Sequence, residues 1–249
     1  FRELSDGVAA ARALVQSGLA PSNARLLDGH EARLHRVRFD GASVLLLGFE
    51  SADHPMTAWL ARAIQLATDH RGEVVAGPTE SDQGDAASRV GAAGTWRQAF
   101  FEAPYMQSAL LSVGILSDTF ETACTWTQFP ELHARITAAV SRALTEECGG
   151  GIVTCRFTHL YPDGPAPYYT FVGALRAGGE LAQWRAIKTA AAEALAATGG
   201  TITHHHAVGR IHRPWYDRER PPLFASALTA VKRVLDPRGI LNPGVLVDA

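Results

Sequence analysis

The chain has 249 residues, 47% of them hydrophobic, and a formal net charge of −2 at pH 7. That suffices for a large buried core, and with no basic block interleaved with aromatics it excludes an electrostatic nucleic-acid footprint. Lys188 and Lys232 are the only lysines, so nearly all positive charge is arginine, which favours phosphate and carboxylate contacts.

Cys124, Cys148 and Cys155 are odd in number and form no Cys-x-x-Cys pair, which argues against a disulfide scaffold and a structural zinc site. A reducing cytoplasm is the expected location. No apolar run is long enough for a membrane span. The chain opens Phe1-Arg2-Glu3-Leu4 with neither initiator Met nor signal peptide, so it is expected to belong to a longer protein. It ends Val247-Asp248-Ala249, which is no peroxisomal tripeptide.

Leu4, Val8, Ala11, Leu14 and Val15 share a helical face and predict a helix to Gln16, stopped by Gly18 and Pro21. Arg25-Leu26-Leu27 reads as a short strand, with Asp28 capping a helix through Leu34. Ser43 to Glu50 is a continuous apolar run, a strand buried on both faces. Trp59, Leu60, Ala63, Ile64 and Ala67 give an amphipathic helix closed by Gly72, before an expected strand Glu73 to Ala76. Gly77 to Gly94 is aperiodic and reads as a long loop. Periodicity resumes from Trp96 to Ser112, where Phe100, Phe101, Tyr105 and Met106 beside Pro104 read as core or as the floor of an apolar channel. With Leu110-Leu111 they are the natural candidate for a lipid tunnel.

The second half predicts a strand at Thr119 to Thr125 and a long helix from Phe129 to Cys148, with Leu132, Ile136, Val140 and Leu144 inward. Gly149-Gly150-Gly151 ends that helix. A hairpin follows, Ile152 to Leu160 with Tyr168 to Leu175, around Pro162-Asp163-Gly164. Glu180 to Ala197 reads as a helix with Leu181, Trp184, Ile187, Ala191 and Leu195 inward. Gly199-Gly200 then leads into Thr201-Ile202-Thr203-His204-His205-His206-Ala207-Val208-Gly209-Arg210, read as a strand on which His204 and His206 face opposite to His205. Three adjacent imidazoles are costly to bury unless proton transfer, metal or phosphate uses them. A helix near Pro222 to Leu235 precedes the irregular tail Asp236-Pro237-Arg238-Gly239-Ile240-Leu241-Asn242-Pro243-Gly244. The order predicts an α+β fold: antiparallel sheets with helices on one face, as two ferredoxin-like units side by side.

The tail, the histidine triplet and the element order together resemble the C-terminal half of FAD-linked oxidases of the vanillyl-alcohol oxidase type. Within that superfamily His-His-His followed by a small residue, Val and Gly is similar to the alkylglycerone-phosphate synthases of ether-lipid synthesis. Arg25-Leu26-Leu27-Asp28, Thr119-Phe120-Glu121-Thr122 with Trp126, and Thr154-Cys155-Arg156 stand in the expected order. The resemblance implies that residues 1–249 are a substrate-binding cap, with FAD held mainly by an N-terminal FAD-binding domain absent from this chain. The chain has neither a Gly-x-Gly-x-x-Gly fingerprint nor phosphate-cradling glycine loops, so alone it is expected to bind FAD poorly and not to catalyse.

In the synthases the acyl group of acylglycerone phosphate is exchanged for a fatty alcohol through a flavin adduct, without net redox change. The resemblance implies catalytic roles for Tyr168, His204, His205 and His206, and substrate-, phosphate- or flavin-facing roles for Arg25, Gln107, Thr119, Trp126, Arg156 and Arg210. Gln107 stands where the family usually carries an arginine, and Ala207 where it usually carries glycine. The partners it implies are the N-terminal domain, a lipid-like phosphate substrate, a second copy in a homodimer, and peripheral contact with a membrane.

Two other readings remain. One is a FAD-dependent 2-hydroxyacid dehydrogenase or oxidase. Those enzymes typically show Glu-His-Gly where this chain has His205-His206-Ala207, and their metal-binding strand has a second histidine near Tyr168. His159 is available, but with the carboxylate and second strand histidine missing no metal site is expected. The other is a non-catalytic binding module with structural or pH-sensing histidines.

Overall fold

The computed structural model describes residues 1–79 and 91–248. Among the described residues, eight helices and five strands follow in the order α1 (Leu4–Gln16), β1 (Asn23–Leu27), α2 (Gly29–Leu34), β2 (Val44–Gly48), α3 (Thr57–Asp69), α4 (Gly91–Ser112), β3 (Ile115–Glu121), α5 (Phe129–Cys148), β4 (Gly151–Leu160), β5 (Pro165–Ala174), α6 (Glu180–Thr198), α7 (Gly209–Glu219) and α8 (Pro222–Leu235). The two units expected side by side share one five-stranded antiparallel sheet, ordered β2-β1-β4-β5-β3 and joined where Leu26 and Leu27 meet Phe157 and Arg156.

Alternation along the strands sorts side chains onto two faces. Leu26, Phe120, Cys155, Phe157, Tyr169 and Phe171 join the main core with Leu132, Ile136, Val140 and Leu144 of α5 and Ile187, Ala191 and Leu195 of α6. Neighbouring Leu27 points the other way, into a smaller cluster with Ala32 of α2, Val44, Leu46 and Trp96 of α4. Tyr168 and Arg156, out of phase with Tyr169 and Cys155, lie on this second face, and they pair across the strands. The candidate site grows from here.

Asp28 caps α2 as its position predicts: its carboxylate accepts from the backbone N–H of Glu31 at 2.6 Å and from that of Cys155 on β4, also at 2.6 Å. Burial pushes its pKa up to about 6, against the lowering effect of those two hydrogen bonds. Asp28→Ala orphans both donors, so a loss of about 2 kcal/mol is expected in a denaturant titration near neutral pH. A loss below about 0.5 kcal/mol would show that water replaces both bonds.

Several elements differ from the sequence expectation. Glu73 to Ala76 forms no strand, and Val74 and Val75 are exposed. The apolar run of β2 lies at the sheet edge and buries only Val44 and Leu46. Of the loop expected over 77–94, residues 80–90 lie outside the described residues, and 91–94 open α4. Phe100, Phe101, Tyr105 and Met106 are exposed on α4 and are not core, and Leu181 points outward from α6. α7 stands where no helix was expected, with Pro214 inside it.

Candidate active site

The histidine segment is not a strand. The backbone N–H groups of Ile202, His204, His205 and His206 go to side-chain carboxylates rather than to a neighbouring strand. Glu121, the last residue of β3 and 2% exposed, turns one oxygen, Oε1, into the centre of the loop. That oxygen accepts from the N–H of His204 at 2.7 Å, His205 at 2.8 Å and His206 at 2.9 Å, and from the Thr203 hydroxyl at 2.6 Å. Three convergent amides form an anion-binding nest, here filled by the protein's own carboxylate. Burial would raise the pKa of Glu121, but the Thr203 hydroxyl and the three amides outweigh it and hold the value at about 2. Glu219 of α7 secures the preceding turn, accepting from the Ile202 N–H at 2.9 Å and the Thr201 hydroxyl at 2.5 Å. Ala207 closes the loop in the left-handed region at φ 66°, where glycine is unstrained, which gives a physical reason for the family's usual glycine there.

The loop brings the triplet to Tyr168. The His206 ring meets the Tyr168 ring edge-on with centroids 5.1 Å apart, and that of His205 lies at 6.2 Å. Tyr168 is half-buried and donates its hydroxyl to Thr119 Oγ1 at 3.0 Å, while His205 and His206 are exposed. Tyrosine and imidazoles therefore converge on an open rim, not in a sealed interior. Burial lowers the pKa of His206, which keeps it neutral and able to accept a proton at neutral pH.

A second cluster adjoins it. His204 Nδ1 lies 3.1 Å from His205 Nδ1, and His204 Nε2 lies 3.1 Å from the Tyr161 hydroxyl. His159 of β4 packs against both imidazoles, with ring centroids 5.2 and 5.1 Å away. One ligand atom each from His159, His204 and His205 lie within 4.8 Å of one another. Glu121 of β3 stands beside them, with its Oε2 3.1 Å from His205 Nδ1.

The remaining expected residues divide. Arg25 reaches the rim from β1 and donates to the Thr158 carbonyl at 2.8 Å; burial, then the nearby charge of Arg156, lowers its pKa. Arg156 does not face an open anion site. It is 9% exposed, paired with Glu31, and set with its guanidinium 3.8 Å from the centre of the Tyr168 ring, which it supports from beneath. Trp126 is core: it is 5% exposed and donates to the carbonyls of Tyr161 and Pro162, anchoring the β4–β5 hairpin tip. At that tip a Cβ on Gly164 would come within 1.8 Å of the Cys124 carbonyl, so only glycine permits the approach. Gln107 is exposed on α4 and donates to the Ser117 carbonyl, and Arg210 ties α7 to the Pro243 carbonyl of the tail. An apolar cleft of about 240 Å³ lies between α6 and α7, lined by Trp184, Ile202, Ile211 and Trp215, with Lys188 and His212 also on its wall.

The fold is shared with solved structures. An alkyldihydroxyacetonephosphate synthase superposes with a TM-score of 0.71 at 17% identity, over 98% of this chain and 43% of that one. A 4-ethylphenol oxidase from Gulosibacter chungangensis superposes at 0.58 and 11% identity, over 97% of this chain and 52% of that one. In sequence, the alkyldihydroxyacetonephosphate synthase of Trypanosoma brucei brucei is 28% identical over 155 residues, 62% of this chain and 25% of its own length. That of Caenorhabditis elegans is 29% identical over 153 residues, 59% of this chain and 25% of its length. An uncharacterized FAD-linked oxidoreductase of Escherichia coli K12, YgcU, is 23% identical over 258 residues, 99% of this chain and 50% of its length. The chain thus spans a quarter to a half of these relatives. The family profile of FAD linked oxidases, C-terminal domain, matches residues 1–246, and the chain belongs to that family.

Proposed function

We propose that the chain is the substrate-binding part of a FAD-dependent alkylglycerone-phosphate synthase-like enzyme, exchanging the acyl group of acylglycerone phosphate for a fatty alcohol. The observation that carries this reading is the meeting of Tyr168 with His205 and His206 on an open rim. Exchange at a carbon beside a ketone needs a base for the adjacent proton and an acid for departing oxygens. The carboxylate oxygen of Glu121 lies 3.1 Å from His205 Nδ1 and favours the proton on that nitrogen, which leaves Nε2 with its lone pair as the base. The Tyr168 hydroxyl supplies the acid, and Arg25 is the cation available for phosphate. The α6–α7 cleft is the candidate for the alkyl chain, since its walls are apolar while Lys188 gives it a cationic edge.

FAD is the family's cofactor. Hydrogen-bonding and aromatic groups on an exposed rim suit the ring end of a flavin, and the sequence offers no glycine turn for its phosphates. When bound, the flavin supplies the carrier for the substrate carbon. The exposed Leu223, Val231, Val234 and Leu235 of α8 are a candidate surface for docking an N-terminal FAD-binding domain.

The deciding assay uses the full-length protein. Labelled fatty alcohol should enter product in exchange for fatty acid, with no reduction of an acceptor dye. The second reading, a 2-hydroxyacid dehydrogenase, draws on the cluster of His159, His204 and His205, and predicts dye reduction by 2-hydroxyacids without alcohol exchange.

A further inference from the structure

We propose that Lys188 of α6 is a positioning residue: through Thr119 it sets the direction of the Tyr168 hydroxyl, the acid of the synthase reading on which this proposal rests. A phenolic O–H turns about its C–O bond until an acceptor fixes it. Here the acceptor is Thr119 Oγ1, 3.0 Å away. Threonine is β-branched and stiff at χ1, so the place of that oxygen follows from the place of the β3 backbone at residue 119.

β3 is an edge strand. The Thr122 N–H, just past its end, goes to the Pro167 carbonyl, and the register runs unbroken from Glu121 opposite Tyr168 to Ile115 opposite Ala174. Even-numbered residues of β3 therefore bond to β5, and the odd-numbered carbonyls face away from the sheet. Such carbonyls need a cap from outside if the edge is to stay in place. Lys188 caps the one at Thr119: its Nζ donates at 2.6 Å, from a side chain only 12% exposed. Beside it, Asp118 Oδ2 lies 3.5 Å from Nζ and accepts from Trp184 Nε1 at 2.7 Å. Trp184 and Lys188 stand one turn apart on α6, so a single helix face grips residues 118 and 119. The Ser117 carbonyl, one repeat along, is held in the same way by Gln107 of α4. The links from α6 to the phenol are thus continuous: ammonium, carbonyl, threonine hydroxyl, tyrosine hydroxyl. Lys188 already serves the protein's own carbonyl and carboxylate, which argues against its use as a free cation for phosphate.

The test uses the full-length protein. Lys188→Met keeps the length of the side chain and removes the donor; Thr119→Val keeps the branched shape and removes the acceptor. Each is expected to lower kcat of exchange roughly tenfold to a hundredfold while KM stays within about twofold, as for a misplaced reacting group rather than lost binding. Lys188→Arg and Thr119→Ser, which keep a donor and the hydroxyl, should recover most of the rate. In the double variant Lys188→Met with Thr119→Val the losses should not multiply, because both act on one hydroxyl. The hydroxyl is also read without activity. With tyrosine labelled by carbon-13 at Cζ, the resonance that Tyr168→Phe removes should shift in Lys188→Met in the same sense as in Thr119→Val. Should Lys188→Met not fold, Lys188→Gln, whose amide is too short to reach Thr119, takes its place. A raised KM at unchanged kcat would make Lys188 a cation for substrate, and multiplying losses would place its action elsewhere; either overturns the proposal, as does an unmoved Tyr168 resonance in the folded variant. A parent protein that exchanges nothing overturns the synthase reading instead, and the tyrosine resonance then decides the positioning role by itself.

Discussion

His205→Ala in the full-length protein is expected to lower alcohol-for-acyl exchange by roughly 10²- to 10⁴-fold, the usual contribution of a positioned general base. Stability should change by less than about 0.5 kcal/mol, because the ring is exposed and the loop does not depend on it. What holds the loop is the backbone N–H of residue 205 on Glu121 Oε1, and alanine keeps that donor. The variant therefore separates chemistry from folding. Glu121→Ala, by contrast, removes the acceptor of four hydrogen bonds and should release the whole triplet. Tyr168→Phe completes the comparison: it loses the hydroxyl and its bond to Thr119 but keeps the ring above Arg156. Exchange retained within threefold in His205→Ala, with the spectrum of the folded protein, would remove His205 from the mechanism.

The period of the apolar residues carried most of the fold. α5 and α8 begin and end where their repeat and flanking glycine or proline place them, and Asp28 caps α2 because a short acidic side chain before a helix has one strong use. The histidine segment shows where local pattern stops short. Thr201 to Thr203 have strand propensity, but the N–H groups of Ile202 and His204 are taken by Glu219, 17 residues on, and by Glu121, 83 residues back, and no local signal reports such a partner. The convergence of Tyr168 with the triplet was legible through the resemblance. Glu121 was not legible as part of the site, since one acidic residue ending an apolar strand looks like a solvated edge. Trp126 and Arg156 lie within recognisable motifs, yet their side chains are spent on the hairpin tip and on Glu31, a distinction that only burial reveals.

Arg156→Met should cost about 3–5 kcal/mol, because it leaves the carboxylate of Glu31 buried without its cation. The Glu31 side chain is 0% exposed, and Arg156 and Thr154 both donate to it, while His35 lies 3.1 Å from Oε1. Burial alone would raise the pKa of Glu31; the His35 contact, the charge of Arg156 and the Thr154 hydroxyl reverse that and set it at about 2. A carboxyl whose folded-state pKa lies below its unfolded value stabilises the protein above the unfolded value, here near 4.5, and that contribution is lost as pH falls toward 2. Without Arg156 the folded-state pKa rises, so the variant should lose stability at pH 7 and show a flatter slope between pH 4.5 and 2 than the parent. Thermal unfolding followed at pH 3 and pH 7 reads both effects, the second as a Tm difference between parent and variant that is larger at pH 7 than at pH 3. Glu31→Gln combined with Arg156→Met should recover part of the loss, since a neutral pair has no charge to strand. The same substitution takes the cation from beneath Tyr168, so exchange should fall even where the protein remains folded. A loss under about 1 kcal/mol with an unchanged acid limb would mean that His35 and Thr154 alone hold Glu31 ionised, and that Arg156 serves only the tyrosine ring.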